Sequence, residues 1–204
     1  MTKKGGDYMD AYLTWKYFVI PEDKFDQIKS VEEELDTLRN RELSDEEAVR
    51  KDMLIDVIDK QAPAISELVL EFKDSETAKD GTIMEELVFR MDEAPELRKF
   101  TEPDEFYFPF MVRITPEGLQ SQYPTIEKIF EATSDHNLLK EEFLGDWVYL
   151  ERAKEIFSQI VDMFKTAHEK KCGIIKIDKL DWIDDAMVQK EEVVEEIESD
   201  MADA

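Results

Sequence analysis

Between Tyr12 and Ile20 nearly every residue is aromatic, β-branched or otherwise apolar, with Trp15, Tyr17, Phe18, Val19 and Ile20 close together. So short and bulky a run is expected to form a buried strand, which the rest of the chain must then cover. Pro21 ends it. Proline at a first helical position followed by Glu22 and Asp23 is a helix start, and Phe25, Ile28, Val31, Leu35 and Leu38 recur at spacings of three and four. An amphipathic helix with an acidic outer face is expected there.

Ser44-Asp45-Glu46-Glu47 has the spacing of a capping box, which predicts a second helix running to about Gln61, with Pro63 blocking its continuation. Leu68–Phe72 and Ile83–Met91 flank the turn-forming Lys79-Asp80-Gly81 and read as a hairpin. Phe106 to Ile114 reads as a further strand, at a sheet edge because of Pro109. Pro124 is expected to open a short helix and Leu138–Phe143 to form another short turn. A long helix from near Asp146 then sets Trp147, Leu150, Phe157, Ile160, Val161 and Phe164 on one face. Gly173 is placed to cap that helix, and Ile174–Ile177 to form a last short strand.

Strands and helices in this order predict an α+β fold: a small mixed or antiparallel sheet packed by several amphipathic helices, with an acidic C-terminal helix or tail. Residues 1–180 are expected to form one domain and 181–204 an acidic amphipathic segment. The 12 Phe, 6 Tyr and 3 Trp are more large apolar groups than a disordered chain carries.

Against 26 Lys and Arg stand 51 Asp and Glu, a formal charge of −25. That is far beyond the roughly 2–8 units that keep a small domain soluble. Such a field repels phosphate backbones and anionic membrane surfaces and steers basic protein surfaces toward it, so direct nucleic-acid and membrane binding are not expected. The charge is densest after Leu180, where ten acids face the single Lys190. Ile183, Met187, Val194, Ile197 and Met201 in that segment fall at helical spacing, which fits either a solvated tail or a helix that docks an apolar stripe.

Carboxylates in rows at helical spacing can imitate the phosphates that a DNA-binding surface expects. Glu32, Glu33, Glu34, Asp45, Glu46 and Glu47 on the first two helices are candidates for such a partner-binding surface. In the C-terminal segment the candidates are Asp184, Asp185, Met187, Glu191, Glu192, Val194, Glu195, Glu196 and Ile197.

Motifs for catalysis are few. There is no phosphate-cradling glycine loop, nucleophile elbow or zinc-protease motif, so no cofactor is expected. His136 stands alone. His168 and Cys172 form one pair without the further ligands that zinc needs, and His168 with Lys165, Lys170 and Lys171 instead suits the C-terminal dipole of the long helix. Asp178, Asp181 and Asp185 would share a helical face but lack a calcium-loop pattern, and no metal site is expected. Glu71-Phe72-Lys73 closes an apolar strand as the Glu-x-Lys of a magnesium-dependent nuclease would, with Asp56 or Asp59 as a further ligand.

The single cysteine excludes an internal disulfide framework, Met1–Gly6 lead into no apolar h-region of a secretion signal, and no run approaches the roughly 18 apolar residues of a membrane span. A cytoplasmic location is expected. The leading expectation is a non-enzymatic acidic protein that docks on a basic surface of a nucleic-acid-handling protein. RNA polymerase, a sigma factor or a nuclease would be suitable targets, inhibited or modulated in the manner of phage host-takeover factors or DNA mimics. The alternatives are an assembly protein that self-associates through the Ile183–Met201 stripe and the Phe106–Phe110 edge, and, more remotely, the Glu71/Lys73 nuclease.

Overall fold

The structure, a computed structural model, describes residues 11–38, 42–75, 77–93, 113–135 and 147–182. In chain order the elements are β1 (Ala11–Pro21), α1 (Glu22–Thr37), α2 (Asp45–Ile65), β2 (Leu68–Lys73), α3 (Asp80–Glu93), β3 (Arg113–Ile114), α4 (Pro116–Asp135), α5 (Trp147–Glu169) and β4 (Cys172–Trp182). The strands form one antiparallel sheet in the order β2-β1-β4-β3. This is the α+β architecture that the sequence predicts.

Side chains alternate across the two long central strands, and each face meets its own helical layer. Trp15, Tyr17 and Val19 of β1, Phe72 of β2 and Ile174 of β4 join a core with α3, α4 and α5. Phe18, Ile20, Ile175 and Ile177 join a second core with Phe25, Ile28 and Leu35 of α1 and Leu54, Ile58 and Ala62 of α2. Tyr17, Phe18 and Phe72 are almost wholly buried, and each of the two phenylalanines contributes about 1.5–3 kcal/mol by leaving water. The aromatic run at Tyr12–Ile20 is thus the middle of a three-layer sandwich, covered on both sides.

Several local expectations are corrected. Ile83–Met91 is not the second arm of a hairpin but the body of α3. Asp74 caps that helix, accepting from the Thr82 amide at 3.0 Å and the Thr82 hydroxyl at 2.5 Å. Ile83, Met84, Leu87 and Met91 are the buried positions, a helical spacing. Pro63 does not stop α2, which continues to Ile65 with Ala62 fully buried and the Ser66 hydroxyl donating to the Ala62 carbonyl at 2.7 Å. Pro124 likewise lies inside α4, whose start is Thr115-Pro116: the Thr115 hydroxyl accepts from the Gly118 amide at 3.0 Å.

Gly173 is not the cap of α5. The left-handed residue after that helix is Lys171, with φ of 54°, and Gly173 lies within β4. A Cβ there would run into the Phe25 ring and come within 2.8 Å of the Ile114 carbonyl oxygen, so glycine lets α1 and β3 close on β4. β4 itself is much longer than Ile174–Ile177. It pairs with β1 over eleven positions, out to Asp181 with Tyr12 and Trp182 with Ala11, so a boundary at residue 180 would cut a central strand. Of the strand expected at Phe106–Ile114, Arg113 and Ile114 form β3 at the sheet edge; its earlier residues, the Leu138–Phe143 turn and residues 183–204 lie outside the described residues.

Charged contacts reinforce one helical layer and the sheet from within. Arg152 of α5 grips Asp80 at the start of α3 with two bonds of 2.9 and 2.6 Å and also reaches Glu155. Hydrogen bonds to Asp80 and then Glu155 raise the Arg152 guanidinium above its ordinary value. Lys176 of β4 is buried with its ammonium 3.5 Å from the Trp15 ring centre, a cation–π contact, and 3.4 Å from Asp178.

Candidate functional site

The layer formed by α1 and α2 carries the densest acidic sequence that the structure describes. Its capping box forms as expected: the Glu47 amide donates to the Ser44 hydroxyl at 3.3 Å, and the Ser44 amide donates to the Glu47 carboxylate at 3.0 Å. Asp45 and Glu46 beside it are exposed at the first turn of α2, where the helix dipole favours negative charge. Glu47 therefore has a local structural role, while its two neighbours face solvent.

The triplet Glu32-Glu33-Glu34 does not act as one unit. Glu32 is fully buried, with the Arg113 Nε 3.0 Å from its Oε2. The N–H is not aligned for a hydrogen bond, so the contact is an ion pair held by charge. Glu33 is exposed, 3.7 Å from the same guanidinium. Glu34 accepts two bonds from Arg50 of α2, at 2.7 and 2.9 Å, which hold its carboxyl below the usual range. One acid of the three is thus interior, one is bonded across to α2, and one lies at the surface.

A feature that sequence reasoning missed lies between the two helices. Ser30, Val31 and Glu34 of α1 and Arg50, Met53, Leu54 and Val57 of α2 line a shallow groove of about 230 Å³. Val49 and Met53 are 60% and 55% exposed, unusual values for large apolar side chains repeated four residues apart on one helix. The signal was present. Leu54, Ile58 and Ala62 already supply the face that α2 turns to the sheet, so Val49, Met53 and Val57 form a second apolar row that the fold does not use for its core.

Comparison with family models, curated proteins and solved structures gives no match.

The three acids of the nuclease reading, Asp56, Asp59 and Glu71, do converge, but on Lys16 and Lys179 and not on Lys73. Lys16 of β1 lies 2.7 Å from Asp59 and 3.0 Å from Glu71, and Lys179 of β4 lies 2.7 Å from Asp56 and 3.4 Å from Asp59. Burial works against the charge on Lys16, but its bonds to Asp59 and Glu71 outweigh burial and leave its pKa raised. For Lys179 the bond to Asp56 is the largest influence, and its pKa is also raised; the same bond lowers that of Asp56. The two ammonium groups occupy the space among these carboxylates. Among the described residues no three His, Cys, Asp or Glu side chains are grouped to hold a metal ion.

His168 stacks on Tyr123 with ring centres 4.0 Å apart and planes within 4°, and Cys172 lies buried beyond the Lys170–Lys171 turn, so their spacing of four spans no common helix. β4 runs through Asp178 and Asp181, which removes the helical face on which those acids were to meet Asp185. The candidates Asp184, Asp185, Met187, Glu191, Glu192, Val194, Glu195, Glu196 and Ile197 lie outside the described residues. Among the described residues no helix is long and apolar enough to cross a membrane.

Proposed function

We propose that the chain is a non-enzymatic, cytoplasmic binding protein that docks through acidic surface on a basic face of a nucleic-acid-handling protein, in the manner of a DNA mimic. Transcription machinery and nucleases are the partner classes with a surface of the required sign. The carrying observation is the disposition of charge. Lys16, Arg50, Arg113, Arg152, Lys176 and Lys179 are each paired with carboxylates of the chain itself, while Glu33, Asp45, Glu46 and Asp52 stay exposed on the α1–α2 layer. With 51 acids to 26 bases, the chain carries a net anionic field.

The test is capture from a bacterial lysate on the immobilised full chain, followed by elution in rising salt. Nucleic-acid-binding proteins are expected in the eluate, released in a discrete salt step, because rim charges govern association and its salt dependence. A captured set without such proteins, or one held equally at low and high salt, contradicts the proposal. A parallel capture with a chain ending at Trp182 keeps all of β4 and reports the share carried by the acidic tail.

A further inference from the structure

We infer that Met53 is a peroxide-reactive modification site on the outer face of α2, where transfer of one oxygen to its thioether turns an apolar surface row polar. The inference is independent of the docking reading. Exposure selects this residue. Met53 is 55% exposed, whereas Met84, Met91 and Met163 are at most 6% exposed and lie in the core that the sheet shares with α3, α4 and α5. Oxidation of a side-chain sulfur follows its exposure, so among the described residues one methionine stands apart. The thiol that would compete for the same oxidant is withdrawn. Cys172, the single cysteine of the chain, is 1% exposed, and burial together with the charge of Glu67 pushes its pKa up, which keeps it as the unreactive thiol.

The step balances with hydrogen peroxide as the oxidant. A sulfur lone pair attacks one peroxide oxygen, the O–O bond breaks and the S–O bond forms. The proton on that oxygen passes to the departing hydroxide, which leaves as water. Sulfur is oxidised by two electrons and the peroxide is reduced by two. Methionine sulfoxide reductases reverse the change at the expense of two thiols. The surroundings suit a change of polarity and not a loss of structure. Met53 stands between Val49 and Val57 in the row that α2 does not turn to the sheet, and it lines the α1–α2 groove with Arg50 and Leu54. Arg50, one turn earlier, bonds Glu34 through Nε and Nη2, so its Nη1 group is a donor for the new sulfoxide oxygen. A sulfoxide here meets solvent and a guanidinium, whereas one at Met84 or Met163 would break core packing.

The experiment treats the full chain with hydrogen peroxide, quenches samples over time, and maps oxidation residue by residue by digestion and mass spectrometry. Met53 is expected to convert at least about tenfold faster than Met84, Met91 or Met163, with Cys172 still reduced when Met53 is fully converted. Conversion of Met53 no faster than those three, or earlier oxidation of Cys172, overturns the assignment. Retention on a phenyl column reports the change of surface. Treated wild-type chain is expected to elute earlier than untreated chain, and Met53→Leu to lose at least about half of that shift. An equal shift in both proteins contradicts a polar conversion at this row. So does a fall in the thermal midpoint that accompanies oxidation of the wild type and is absent from treated Met53→Leu, because the sulfur would then belong to the packing of the fold.

Discussion

Replacing Arg113 with alanine is expected to lower folding stability by about 3–5 kcal/mol, the cost of removing one partner of a buried ion pair. Glu32 is wholly inside the protein, and the Arg113 guanidinium that neutralises it comes from the edge strand β3. The same guanidinium stands 5.8 Å from the Phe25 ring centre and 3.7 Å from Glu33, so it also joins the start and the middle of α1 to the sheet. Urea unfolding reads the loss as a lower midpoint. Replacing both Glu32 and Arg113 with leucine removes both desolvation penalties and is expected to recover most of the deficit. An Arg113→Ala protein that unfolds at the wild-type urea concentration contradicts the role given to this pair.

A second large loss is expected from Gly81→Ala, about 3 kcal/mol, at the upper end of what overpacking costs. The glycine is not a turn residue. A Cβ at this position would collide with the Leu13 carbonyl oxygen, with the Leu13 carbonyl carbon at 2.8 Å and its Cβ at 3.2 Å. These are mainly backbone atoms of the central strand, and the Leu13 carbonyl also accepts from the Asp74 amide at 2.9 Å. Neither side can yield without moving α3 away from the sheet, and that helix contributes Ile83, Met84, Leu87 and Met91 to the core. Thermal unfolding followed by circular dichroism checks the loss; an unchanged midpoint would show that the first turn of α3 is free to shift.

Features encoded by neighbouring residues were legible in the sequence. The aromatic strand, the Ser44–Glu47 box and the long α5 each depend on spacing within a few turns, and the structure places all three close to where the sequence predicts them. The errors have a different origin. Asp80-Gly81 resembles a turn, yet Asp74 caps the segment and the 3.6-residue spacing of its buried side chains makes it a helix. By local rules Pro63 stops a helix and Pro124 starts one, whereas packing of Ala62 and of Ile126 and Ile129 holds α2 and α4 through them.

The candidate site divides in the same way. Asp45 and Glu46 lie at an exposed helix start, as a reading of local spacing expects. Glu32, four residues after Ile28 and three before Leu35, falls within the apolar stripe of α1, so its inward position was legible in the spacing, unlike that of Glu33 and Glu34. The Arg113 that meets it is brought only by the fold. The apolar row Val49, Met53 and Val57 becomes visible as surplus once Leu54, Ile58 and Ala62 are known to face the sheet.

Occupation of a partner's nucleic-acid surface predicts competition with nucleic acid itself. Proteins from a bacterial lysate are bound to DNA-cellulose, and the column is eluted with the full chain, then with a variant carrying Glu33→Gln, Asp45→Asn, Glu46→Gln and Asp52→Asn. The wild-type chain is expected to release a defined set of DNA-bound proteins at constant salt, and the neutralised variant to require about tenfold more protein for the same release. If neither protein releases anything, or both release the same set at the same concentration, the acidic α1–α2 face is not a surface that takes the place of nucleic acid.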